Sequence, residues 1–101
     1  MSKCRFGVIG AGMISHSSCQ DINGHANAIV VAASDKSEER LDELCKKFSI
    51  GFKSPNAADV FKRPDIDAIY IAVPNAFHAP LAIQALEAGK HVILDKPFAL
   101  S

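Results

Sequence analysis

Arg5-Phe6-Gly7-Val8-Ile9 runs straight into Gly10-Ala11-Gly12-Met13-Ile14-Ser15, a junction of apolar run and paired glycines. An apolar run of strand length stops at paired glycines, and a helix is expected to open behind them. Gly10 permits a tight turn, and Gly12 keeps the backbone bare, so that a diphosphate can approach it. The N–H groups near Met13 and Ile14 then point toward that anion from the start of the helix. Ser15 stands where such a turn ordinarily carries Gly or Ala, and its small side chain preserves the packing of helix on strand. A glycine turn by itself is an ordinary structural feature, so the rest of the chain must supply the context.

It does so by repeating the pattern. Ala28-Ile29-Val30-Val31-Ala32-Ala33 ends at Ser34-Asp35, Asp67-Ala68-Ile69-Tyr70-Ile71-Ala72-Val73 ends at Pro74, and His91-Val92-Ile93-Leu94 ends at Asp95. A short strand is expected around Gly51-Phe52. The long runs are nearly continuous in apolar residues, as in strands covered on both faces. Between them lie helical patterns. Leu41, Leu44, Cys45 and Phe48 share one face, with Glu38 and Glu39 in the first turn and Lys46 and Lys47 in the last. Ser54-Pro55 reads as an N-cap and first helical residue ahead of Ala57, Val60 and Phe61. Ala79, Ala82, Ile83 and Leu86 form the expected apolar stripe of a later helix that Gly89 stops. The helix after Gly12 has the weakest periodicity and is expected to run to about Asp21. Strand and helix in alternation predict an α/β fold: a Rossmann-like parallel sheet with helices on both faces.

In such a sheet, ligands bind beyond the carboxyl ends of the strands, so the residues just after each strand carry the function. Asp35 follows the glycine turn by roughly 20 residues, the spacing at which a carboxylate accepts hydrogen bonds from the adenosine ribose hydroxyls. It also fits a helix-capping pattern with Glu38. A 2′-phosphate about 4 Å from Asp35 would be opposed by up to ~4 kcal/mol, which favours NAD over NADP, although Lys36 offsets part of that repulsion. Val73-Pro74-Asn75-Ala76-Phe77-His78 follows a strand, with Asn75 placed to cap the next helix. Asp95-Lys96-Pro97 follows the last strand. Lys96 there would stand near the nicotinamide end of a dinucleotide, able to donate a proton or polarise a substrate hydroxyl.

Composition narrows the class. The 101 residues include 49% hydrophobic and 22% charged, enough for one modest core. Eleven basic residues balance eleven acidic ones, which argues against a nucleic-acid or anionic-membrane partner. Cys4, Cys19 and Cys45 form an odd set without Cys-x-x-Cys spacing, so neither a disulfide framework nor a metal site is expected. They are read as small buried apolar side chains in a reducing, cytoplasmic setting. Lys3 and Arg5 ahead of an apolar stretch resemble an export signal, but Gly7, Gly10 and Gly12 break that stretch.

The segments Phe6–Gly12, Ala32-Ala33-Ser34-Asp35, Val73–His78, Ala82–Val92 and Asp95-Lys96-Pro97 together resemble the N-terminal half of the glucose–fructose oxidoreductase and inositol dehydrogenase (Gfo/Idh/MocA) family. The likeness spans nearly the whole chain. The resemblance implies an NAD(P)-dependent oxidoreductase acting on a hydroxyl or carbonyl of a sugar or polyol. It implies that Lys96 works beside the nicotinamide and substrate, and that Pro74, Asn75 and His78 line the cofactor. Asp95 replaces the more usual Glu of that motif, and the resemblance also raises the prospect of a cis Lys96–Pro97 bond. It sets residues 1–101 as a dinucleotide-binding domain whose substrate domain is absent, so that little turnover is expected from the chain alone. The alternative is a stand-alone NAD-binding sensor or oligomerising module, since an unfinished sheet leaves an apolar edge open to self-association. A methyltransferase fold shares the Gly-x-Gly turn and the ribose-binding acid but gives Asp95-Lys96-Pro97 no role.

Overall fold

The computed structural model describes residues 3–73 and 78–94. The elements are β1 (Cys4–Ile9), α1 (Met13–Asn23), β2 (Ala28–Ser34), α2 (Glu38–Phe48), β3 (Phe52–Ser54), α3 (Ala57–Phe61), β4 (Ala68–Ile71), α4 (His78–Glu87) and β5 (His91–Leu94). The five strands form one sheet in the order β3-β2-β1-β4-β5, and every neighbouring pair is parallel. From β1 the chain steps outward to β2 and β3, then returns across β1 to β4. Right-handed crossovers therefore put α1 and α2 on one face and α3 and α4 on the other.

The core divides accordingly. Val8, Cys19, Val30, Leu41, Leu44 and Ile50 pack on the α1–α2 face. Ile9, Val60, Phe61, Ile69, Ile71 and Ala85 pack on the other. Val8 and Ile9 are adjacent residues facing opposite layers, which is why the central strand reads as continuously apolar. Cys19 and Cys45 are buried free thiols, as expected, whereas Cys4 is only half-buried.

Several expectations are corrected. The α3 helix begins at Ala57, and its N-cap is Asn56, whose side chain accepts from the Ala58 N–H at 3.0 Å. Ser54 belongs to β3. Its hydroxyl donates to Asp59 Oδ2 at 2.7 Å and accepts from the Asn56 N–H, so Pro55 lies in the connection rather than in the helix. The β4 strand is shorter than the apolar run Asp67–Val73. The stripe expected on α4 is met only in part: Ala82 packs against the core, but Ile83 and Leu86 are 54% and 59% exposed, and the fully buried residue is Ala85. The helix is apolar on several sides, so periodicity alone could not choose a face. Small Ala85 lets α4 settle closely on the sheet, with Leu81 and Ala82 flanking it. The expected stop at Gly89 is present, at a φ of +82°. Helix α1 ends at Asn23, two residues beyond the expected Asp21. Its buried side is Ser15, Ser18, Cys19 and Ile22, a helical spacing concealed by two polar side chains. No described helix is long and apolar enough to cross a membrane.

Candidate functional site

The site is built where β1, β2 and β4 end together. Gly10 leaves β1 with a φ of +104°, a backbone conformation that favours glycine. A Cβ at Gly10 would also sit 2.5 Å from the Ala72 carbonyl oxygen just beyond β4, with Val73 close behind. Its two roles, turn and close approach, are thus both visible. Gly12 is different. It is the N-cap of α1 in an extended conformation open to any residue, and a Cβ there would meet nothing within 4 Å. Packing does not require glycine at this position, so its bare backbone leaves room above the helix start. The first N–H groups of an α-helix have no intrahelical acceptor, and in α1 these begin at Met13 and Ile14.

Three hydrogen bonds hold the turn. The Gly10 N–H donates to the Ser34 carbonyl at 2.7 Å. The Ser15 hydroxyl, fully buried, donates to the Gly10 carbonyl at 2.5 Å. The Ala11 N–H donates to Asp35 Oδ2 at 2.7 Å. The other carboxylate oxygen, Oδ1, accepts the Ser37 N–H at 2.7 Å. Asp35 is therefore not the cap of α2. Ser37 caps that helix, its hydroxyl accepting from the Arg40 N–H at 3.3 Å. An ionised carboxylate offers about four lone-pair sites. Two bonds to the backbone leave Asp35 with capacity for further donors. Lys36 beside it is exposed.

The structure thus brings Gly10, Gly12, the start of α1, Asp35 and Val73 to one rim. Pro74, Asn75, Asp95, Lys96 and Pro97 lie outside the described residues. His78 opens α4. Ser15, Ser34 and Ser37 shape the site, and their contribution was not read from the sequence. The motif's expected small residue concealed the hydroxyl of Ser15, and only the Asp35-x-Ser37 spacing, typical of side chains that bond the local backbone, pointed to Ser37. Among the described residues no three His, Cys, Asp or Glu are grouped to hold a metal. A shallow concavity lined by Asp42, Cys45, Lys46, Ile50, Gly51 and Lys53 lies where α2 ends and β3 begins, away from this rim.

A parallel sheet in this strand order, with a glycine turn and a carboxylate at its central switch point, defines a dinucleotide-binding Rossmann domain. Residues 4–101 match the Gfo/Idh/MocA oxidoreductase family, NAD-binding Rossmann fold, and the chain belongs to that family. It is 32% identical to a myo-inositol 2-dehydrogenase from Thermotoga maritima, over 96% of this chain and 29% of that protein. A scyllo-inositol dehydrogenase from Lactobacillus casei, solved with NAD(H) and scyllo-inositol, superposes with a TM-score of 0.88 at 29% identity, over 99% of this chain and 30% of the other. A 3-ketoreductase from Actinomadura kijaniata, solved with TDP-benzene and NADP, gives 0.87 at 28% identity, over 95% and 31%. The chain therefore spans about 30% of the length of these relatives. Membership sets aside the methyltransferase reading.

Proposed function

We propose that this chain supplies the dinucleotide-binding part of an NAD-dependent oxidoreductase that interconverts a hydroxyl and a carbonyl on a sugar, polyol or related small molecule. Family membership supports the coenzyme class. The placement of Asp35 supports the choice of NAD. Its carboxylate is held by two backbone N–H groups at the rim. The remaining lone pairs suit the two ribose hydroxyls of NAD, while a 2′-phosphate there would be opposed by the same charge. Lys36, exposed alongside, offsets that only in part.

In this reading the N–H groups of Gly12, Met13 and Ile14 receive the diphosphate, and Val73, Pro74, Asn75 and His78 line the coenzyme. Bound NAD supplies the hydride acceptor or donor. Lys96 holds the proton that the substrate oxygen gains or loses, and Asp95 belongs to the coenzyme-binding set. Substrate contacts come from the further length that the relatives possess. Three free thiols suit a reducing, cytoplasmic location.

Calorimetric titration tests the proposal. Saturable binding of NAD is expected, with NADP at least about tenfold weaker, which is 1.4 kcal/mol. No saturable heat with either coenzyme on folded protein would remove the nucleotide-binding reading. Tighter binding of NADP would overturn the preference.

A further inference from the structure

We infer that Asp35 holds the Gly10–Gly12 turn in its anion-receiving shape as well as meeting the ribose, so that one side chain couples the ribose and diphosphate ends of the site. The inference rests on the nucleotide-binding reading above and deepens it. A carboxylate serving only the ribose would have no need of the turn. Here Asp35 Oδ2 instead accepts the N–H of Ala11, the residue between the two glycines, at 2.7 Å. Glycine backbones are the least restricted by sterics, so a turn made of them must be fixed by its bonds. Gly10 is fixed through Ser34 and Ser15. Among the described contacts, Ala11 is fixed through Asp35, and this is the bond with a charged acceptor, the stronger kind. Asp35 is itself anchored from the other side by the Ser37 N–H. The carboxylate therefore bridges the β1–α1 turn and the β2–α2 turn, and any change to it alters both.

Charge and geometry make opposite predictions, which permits a clean test. Removing a negative group near a diphosphate should tighten binding by Coulomb's law. Loss of a positioning bond should weaken it. The probe is 2′,3′-dideoxyadenosine 5′-diphosphate, which has no ribose hydroxyl for Asp35 to meet. Asn cannot accept from both Ala11 and Ser37 as the carboxylate does, since it has one acceptor oxygen. Asp35→Asn is expected to bind this probe about five- to tenfold more weakly than the unaltered chain. Unchanged or tighter binding of the probe, together with weaker binding of ADP, would confine Asp35 to the ribose and overturn the inference. Failure of the unaltered chain to bind ADP at all would instead remove the nucleotide-binding reading itself. Should Asp35→Asn not fold, amide exchange on the unaltered chain decides: the Ala11 N–H is expected to be protected, and exchange at the free-peptide rate would overturn the inference.

Discussion

The buried hydroxyl of Ser15 closes onto the Gly10 carbonyl oxygen at 2.5 Å, tying the first turn of α1 back to the residue that ends β1. Replacing Ser15 with Ala, an ordinary residue at this point of the motif, leaves that carbonyl short of a partner. Ser15→Ala is expected to lose about 1–2 kcal/mol of stability. Urea unfolding should show a lower midpoint with an unchanged slope.

The two glycines of the turn should separate under substitution. Gly10→Ala forces a side chain into a positive φ and against the Ala72 carbonyl. A loss of about 2–4 kcal/mol is expected. Gly12→Ala meets no neighbour. Its melting temperature should stay close to that of the unaltered chain, while NAD affinity falls at least several-fold. Thermal melts and calorimetry on both variants check the pair.

Helix α4 offers a test of which side faces the sheet. Ala85→Leu overfills a buried contact and should cost about 1–3 kcal/mol. Ile83→Ser and Leu86→Ser lie on the exposed side and should each stay within about 0.5 kcal/mol. Equal losses at all three positions would contradict the observed orientation.

The thiols should differ in reactivity. Burial, with a smaller contribution from neighbouring Cys45, pushes the Cys19 thiol from 9.0 up to about 12. Only a thiolate attacks an alkylating reagent. Iodoacetamide on the native chain should therefore label half-buried Cys4 first and Cys19 last. The folded state holds the Cys19 proton more tightly than the unfolded state does. That contribution to stability is complete below the unfolded thiol range and is lost as pH rises from 9.0 through about 12. Denaturation midpoints followed into alkali should fall less steeply in Cys19→Ala.

The proposed function gives Lys96 a proton-transfer role that weighs more on turnover than on coenzyme affinity. In the whole protein, Lys96→Ala is expected to lower kcat by at least about a hundredfold, the usual scale of general acid–base catalysis, with NAD affinity little changed. Steady-state kinetics beside a coenzyme titration check this, and undiminished turnover would remove Lys96 from the mechanism.

Much of this architecture was legible in the residues. Val8 and Ile9, or Ile69 and Ile71, could be placed in strands because a doubly covered sheet demands apolar side chains without interruption. The glycines and Asp35 were legible as neighbours because each follows directly on one of two adjacent parallel strands, whose carboxyl ends share one rim. Where sequence reading went astray, a second pattern competed. On α4, Ala79, Ala82, Ile83 and Leu86 made the stronger hydrophobic stripe, yet steric closeness to the sheet selected Ala85. On α1, Ser15 and Ser18 hid a buried face because hydroxyls do not register as core. At Ser54, proline in the next position suggested a helix start, but a side chain bonding Asp59 and the Asn56 backbone produced a turn. These outcomes depend on three-dimensional partners that no local pattern encodes.

The all-parallel pairing around β1 also governs how the chain must come together. No adjacent strands can zip as a hairpin; each pairing waits for a crossover to close. Cys4 to Ile9 meet their first partners from Ala28 onward, and Phe6 to Ile9 meet their second from Ala68 onward. A nascent chain therefore carries its central strand half-paired until Ala68 and the residues after it have been made. Folding should be slower than for a helical domain of equal size, and the exposed flank of β1 is where a chaperone would find its hold.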